Sequence, residues 1–311
     1  MSRDVLLNYT FKLTIQDTIV APSLAYLKKV LILVKPKAGV TGGTITACTS
    51  SAQIEAITDN ADAVQLLNGG LSSIYVLANA DLDIEAILEP TTFEFYTILV
   101  SSDFNTTELG LRDFGTFEGV IGYAFTDAVA AKAFGAVSKQ CAFLTDATNK
   151  AKNMCFAFGT FLSSAGWNNQ QYIEMPFNDG ITDLGDAEGY FDDRISFVLT
   201  SPQYTNRLAF FVAGGKAIIA PYIKEEIRVS QQGYALIYIN ANKPQYTLTQ
   251  AKLLQSYLQK KLDEGYVNTS AIDSGVVNVV LGNDAFIAEG DIVISEPSAL
   301  WRLRGNLTTE I

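Results

Sequence analysis

Four groups of residues in this chain are of types that could carry chemistry. Glycines cluster at Gly42-Gly43, Gly69-Gly70 and Gly214-Gly215-Lys216. A phosphate-cradling loop needs G-x-x-x-x-G-K-[ST] between a strand and a helix, so that successive backbone N–H groups face the phosphates. Gly215-Lys216 is followed by Ala217 and has no glycine five residues before Gly215, so these clusters read as turns. Carboxylate pairs occur at Asp192-Asp193, Asp183/Asp186 and Glu225-Glu226. Two carboxylates can share acid and base roles or bind a divalent cation. Neighbours within loops are ordinarily solvated, and 178–193 lacks the ligand spacing of a calcium hand. Ser101-Ser102-Asp103 and Ser163-Ser164 offer hydroxyls, but a serine nucleophile needs a base. The chain has no histidine and no S-x-x-K spacing. That removes the usual general base near neutral pH and the commonest metal ligand. Cys48, Cys141 and Cys155 are too widely spaced for a C-x-x-C metal pair, and three of them give no disulfide framework. The sequence therefore predicts no catalytic residue, no metal site and no cofactor.

The elements that would have to position such residues alternate. Residues Leu7, Tyr9, Phe11, Leu13 and Ile15 interleave with Asn8, Thr10, Lys12 and Thr14, the period of a strand with one apolar face. A second strand is predicted over Ala25–Val34. Short helices follow over Ala52–Ile57 and Asn60–Leu67, the second stopped at Asn68-Gly69-Gly70. Strands at 73–77, 92–100, 119–125, 141–144 and 171–175 alternate with helices at 83–88, 127–139 and 147–163. Further core elements are read at 194–200 and 207–213. Ile223–Val229 and Tyr234–Ile239 read as strands. Thr247 should cap a helix over Leu248–Leu262 that ends at Gly265. Strands at 275–281 and 291–295 lead into a tail that carries Trp301 between Leu300 and Leu303.

This pattern predicts an α/β (α+β layered) core domain with extended N- and C-terminal β arms. The expected division is an arm over 1–20, a core over 21–270, and C-terminal strands with an arm over 271–311. The core could divide again near 90–100 and 200–220.

Composition agrees with a packed protein: 48% of residues are hydrophobic and 18% charged. A charged fraction below the usual quarter suggests a surface covered by partners. The net charge of −11 and the lack of any basic run argue against nucleic acid. No stretch of 18 apolar residues would span a membrane, and the first residues lack the apolar run of a signal peptide. The expectation is a protein made in a cytoplasm. An alternating strand outside a compact domain exposes unpaired N–H and C=O groups. Those groups become useful when a second copy supplies the matching edge.

Thr49–Phe104, with its paired glycines at Asn68-Gly69-Gly70 and the apolar segment Phe93–Val100, resembles the core segment of phage tail sheath proteins. So does the C-terminal third, with helix Leu248–Leu262, Gly265 and the tail Asp291–Ile311. The resemblance implies a short, minimal sheath subunit that stacks as hexameric rings around a tail tube and contracts to drive the tube through a host envelope. It implies self-association, and contacts with tail tube, baseplate and tail terminator proteins, in a virion tail assembled in the host cytoplasm. The arms would be Asp4–Ile15 and Asp291–Ile311, with Leu7, Tyr9, Phe11, Leu13, Ile15, Ile292, Ile294, Trp301 and Leu303 at subunit interfaces. A cytosolic α/β enzyme without histidine and another virion shell protein are the competing readings.

Overall fold

Val30–Val34 has no polar side chain to turn towards water, and all five of its residues are buried. A strand of that kind needs cover on both faces, which a parallel sheet between helices provides. The computed structural model describes residues 7–14, 24–80, 95–105, 117, 119–136, 140–146, 148, 151–164, 172–176, 189–190, 192–200, 207–210, 212–213, 216–244, 247–281 and 287–295. In chain order the elements are strand β1 (Leu7–Thr14), β2 (Val30–Val34), β3 (Ile45–Cys48), helix α1 (Ser51–Glu55), α2 (Asp62–Asn68), β4 (Ile74–Ala78), β5 (Thr97–Val100) and β6 (Val120–Phe125). There follow α3 (Ala128–Gly135), β7 (Gln140–Leu144), α4 (Lys152–Ser163), β8 (Tyr172–Glu174), β9 (Phe197–Thr200), β10 (Arg207–Phe210), β11 (Val212–Ala213) and β12 (Lys216–Ala217). Last come α5 (Ile219–Asn242), α6 (Leu248–Leu262), β13 (Ser274–Leu281) and β14 (Ile287–Ser295).

The chain divides into two compact units. One is Ser23–Lys224; the other joins Met1–Pro22 to Glu225–Ile311. The boundary falls inside α5.

In Ser23–Lys224 a six-stranded sheet runs in the order β3-β4-β2-β5-β6-β7. Every pairing is parallel except β3 with β4. Alternation along β2 sends Val30, Ile32 and Val34 into one core and Leu31 and Leu33 into the other. The first core is closed by Ile54 of α1, Leu66 of α2 and Met154, Phe158 and Phe161 of α4. The second is closed by Phe95, Phe104 and Ala131 of α3. Asp127 caps α3 by accepting a hydrogen bond from Ala130 N at 2.8 Å, so the helix opens there. Tyr222 is fully buried, sharing a 2.6 Å hydrogen bond with Thr97 Oγ1 and packing edge-on against Tyr96 and Phe161.

Helices α2 and α4 meet through two glycines. A Cβ on Gly159 would lie 2.4 Å from Leu66 O, and one on Gly69 would lie 2.6 Å from Phe156 O. Only hydrogen fits at either position. Gly69-Gly70 thus has two tasks: Gly70, at φ 112°, ends the helix, and Gly69 admits α4.

In the other unit, α6 lays Ala251, Leu254, Leu258 and Leu262 inward against a three-stranded sheet of order β1-β14-β13. Thr247 caps it as expected, accepting from Gln250 N at 3.3 Å. The helix does not stop at Gly265 by simple termination; it widens into a π turn over Asp263–Val267.

The two strands expected at Ile223–Val229 and Tyr234–Ile239 are one helix, α5. Turn-to-turn contacts hold it: Arg228 Nε donates to Glu225 Oε2 at 2.8 Å and Arg228 Nη1 to Gln232 at 3.3 Å. Pro221 sits in the first turn, where a missing N–H costs nothing. Gly233 lies buried in the helix interior. Ala25–Lys28 is a 3-10 turn ahead of β2, closed by Leu27 N to Leu24 O at 3.1 Å. Strand β3 was not foreseen. The helix expected at 83–88 lies outside the described residues.

The α2–α4 contact makes a direct prediction. Gly159→Ala should cost about 1–3 kcal/mol of stability, because neither backbone can retreat without disturbing the sheet beneath. Urea denaturation checks this, and an unchanged midpoint contradicts the packing.

Candidate subunit interface

A strand at the centre of a sheet must satisfy hydrogen bonds on both sides, and β14 obtains its two neighbours from distant parts of the chain. β13 precedes it as the other arm of a hairpin, with Val277 opposite Ile292 and Gly275 opposite Ile294. β1 comes from the far end, with Leu7 opposite Ile294, Tyr9 opposite Ile292, Phe11 opposite Gly290 and Leu13 opposite Ala288. Directly opposed residues of an antiparallel ladder share a face. Positions 7 and 9 therefore fall on the face that carries Ile294 and Ile292, both buried. On β13 the same face holds buried Val277 and Val279, while Val276 and Val280 are half exposed on the other.

The outer edge of β13 is held by side chains. Gln259 Oε1 accepts from Val277 N at 2.8 Å, and its Nε2 donates to Gly275 O at 2.9 Å. Gln255 Oε1 accepts from Val279 N at 3.2 Å. Gly275 permits this approach, since a Cβ there would lie 2.6 Å from Leu262 Cδ2. A groove of about 520 Å³ runs along this edge, rimmed by Lys260, Asp263 and Glu264.

Of the expected interface residues, the structure brings together the backbones of Leu7, Tyr9, Phe11 and Leu13 with those of Ile292 and Ile294. They pair with one another within a single chain. Ile15, Trp301 and Leu303 lie outside the described residues. The segment expected to leave as a tail from Asp291 is still the middle strand as far as Ser295. Gln255 and Gln259 were not singled out from the sequence. Their signal is two amides one helical turn apart, on a helix that precedes an uncharged valine-rich strand.

The other place where a doubly wound sheet would bind a ligand is its switch point, here at the carboxyl ends of β2 and β5. That place is filled by the protein's own polar groups. Asp62 Oδ2 accepts from Ser102 N at 3.0 Å and Ser102 Oγ at 2.6 Å. Asp103 Oδ2 accepts from Lys35 N at 2.9 Å, and its Oδ1 from Asn60 Nδ2 at 2.7 Å. Asn60 Oδ1 accepts from Asp62 N at 2.7 Å. Ser101, Ser102 and Asp103 thus tie loop to loop. Burial raises the Asp62 carboxyl above the ordinary range; the Ser102 hydrogen bonds oppose this in part.

Asp183, Asp186 and Gly214-Gly215 lie outside the described residues, and several other candidates are engaged. Ser163 Oγ donates to Gly69 O at 3.3 Å and Ser164 Oγ to Thr160 O at 2.9 Å. Glu225 pairs with Arg228, Glu226 accepts from Tyr266 Oη at 3.2 Å, and Asp193 meets Lys132 at 2.5 Å. All three cysteines are buried, and burial pushes the Cys141 thiol up to about 12. Among the described residues no group of three or more Cys, Asp or Glu could hold a metal ion, and no helix is long and apolar enough to cross a membrane.

No protein-family model matches the sequence, and no curated protein matches it. Solved structures do match. A chain in the cryo-EM structure of the anti-feeding prophage baseplate, 6-fold symmetrised, superposes with a TM-score of 0.67 at 10% identity, covering 95% of this chain and 97% of that one. A chain in the contracted helical sheath of the same prophage gives 0.63 at 10% identity, with 96% of each chain covered. The chain shares the fold of these two chains. This agrees with the α/β class and with the resemblance read from Thr49–Phe104. The match spans both units, so the shared fold includes the three-stranded sheet as well as the six-stranded one.

The buried carboxyl yields a pH prediction. A carboxyl raised in the folded state contributes stability below its unfolded value and loses it as pH rises through the folded one. Asp62→Asn keeps an acceptor for Ser102 and carries no charge. The variant should therefore gain on the natural protein as pH climbs from acid to neutral. Melting temperatures across that range check this, and parallel profiles contradict it.

Proposed function

We propose that the chain is a structural subunit of a contractile injection apparatus, a sheath protein that stacks in hexameric rings around an inner tube and contracts to drive the tube through an envelope. The observation that carries this is the end-to-end match to sheath and baseplate chains. The proposed partners are further copies of itself, a tube protein, and baseplate and tail terminator proteins; the baseplate match favours that contact in particular. Its place is the tail, after assembly in the host cytoplasm. We propose no enzymatic activity, since the switch-point carboxylates are spent on loop-to-loop hydrogen bonds.

The arms are the second half of the reading. Segments 1–20 and 271–311 act as the linking parts, and 21–270 as the body. The ladder that β1 makes with β14 in one chain uses backbone groups alone, so an identical β1 from a neighbouring copy fits the same register. Exchange of identical elements is a low-cost route from monomer to polymer. Leu7, Tyr9, Phe11, Leu13 and Ile15 then meet Ile292 and Ile294 of another copy, with Trp301 and Leu303 as further anchors.

Negative-stain electron microscopy of the purified protein tests the function. Tubes or stacked rings are expected; compact particles whose melting shifts with a small ligand would overturn it. Removing 1–15 tests the arms. It deletes the edge strand and spares buried Ile292 and Ile294, so the product should fold yet build no tubes. Tubes from the truncated chain would sink the arm model.

A further inference from the structure

We propose that Gln255 and Gln259 close the β13 edge to strand addition, so that copies join this sheet through its β1 edge. The first half stands on the single chain; the second rests on the assembly reading above.

The two glutamines imitate a strand. In a parallel ladder, one residue of the incoming strand donates to a carbonyl and accepts from the N–H two residues further on. Gln259 does this with one side chain, bonding Gly275 O at 2.9 Å and Val277 N at 2.8 Å. Gln255 takes the next rung, Val279 N, at 3.2 Å. The spacing makes this possible: four helical residues rise about 6 Å, and two strand residues span about 6.6 Å. Helix α6 thereby presents amides in step with the strand.

The strand so covered needs covering. Ser274–Leu281 reads SGVVNVVL, with no charge and no proline, and Val276 and Val280 stand half exposed beside it. A short segment of high β-propensity and no charge is the kind that pairs with copies of itself. Without the amides, the outward N–H groups of Val277 and Val279 would face the open groove, and another β13 would be the matching partner.

Residue-resolved amide hydrogen exchange on the full chain tests this. Alternate residues of β13 face opposite ways, so Val277 and Val279 point to the glutamines while Asn278 and Val280 point to β14. In the double variant Gln255→Leu/Gln259→Leu, Val277 and Val279 should exchange about tenfold faster. Asn278 and Val280 should keep their rates. Light scattering should show the double variant associating at concentrations where the natural protein does not. Unchanged rates at Val277 and Val279, or a double variant that does not associate, overturn the proposal. If the double variant loses protection along the whole strand, the single variant Gln255→Ala decides: Val279 should speed up while Val277 does not, and an unchanged Val279 overturns the idea. Failure of the natural protein to form tubes sinks the assembly reading but leaves these rates untouched, so the two failures are separable.

Discussion

A β-strand cannot satisfy its own backbone, and the unit formed by the two chain ends is organised around that fact. β14 is a middle strand with Ile292 and Ile294 buried on one face. It needs a neighbour on each side. The hairpin gives it β13, and its other side is filled by residues from the opposite end of the chain. Backbone hydrogen bonds do not record which copy of a chain supplies them. The same register therefore serves within one chain or between two.

The two edges of the sheet are treated differently. At β1 the strand stands at the sheet's edge, and at β13 helix α6 lays glutamine side chains over the exposed groups. Gly275 gives the helix room to come close, as Gly159 does for α2 in the larger unit. In both places a missing Cβ sets the distance between a helix and its neighbour, and the neighbour's packing depends on it. The six-stranded sheet, in contrast, is covered on both faces and ends its switch point in a closed network around Asp62 and Asp103.

What the sequence revealed follows from how local each signal is. The parallel strands β2, β5 and β6 are short apolar runs bounded by turn residues, so they were legible. The alternation in Leu7–Thr14 and the Thr247 cap were legible for the same reason. Helix α5 was not. Its β-branched residues and Gln231-Gln232-Gly233 imitate two strands and a turn, and packing of a largely buried helix outweighed propensity. Pro221 in the first turn was the local clue. Gly69 was legible as a stop signal but not as a contact, because Gly159 lies 90 positions away and nothing in either segment names the other. Gln255 and Gln259 stayed hidden for that reason too: a glutamine on a helix is ordinary until the strand beside it is known.

The central claim is that β1 and β14 form their ladder between copies in the assembled state. Tyr9 and Ile292 are opposed in that ladder, and the three native cysteines are buried. One chain carrying Tyr9→Cys can be mixed with another carrying Ile292→Cys, assembled and oxidised. Each chain then holds one engineered thiol, so a disulfide across the ladder requires two chains. The account predicts a covalent heterodimer that appears on assembly and is absent from either variant by itself. Assembled particles that yield no heterodimer would contradict it.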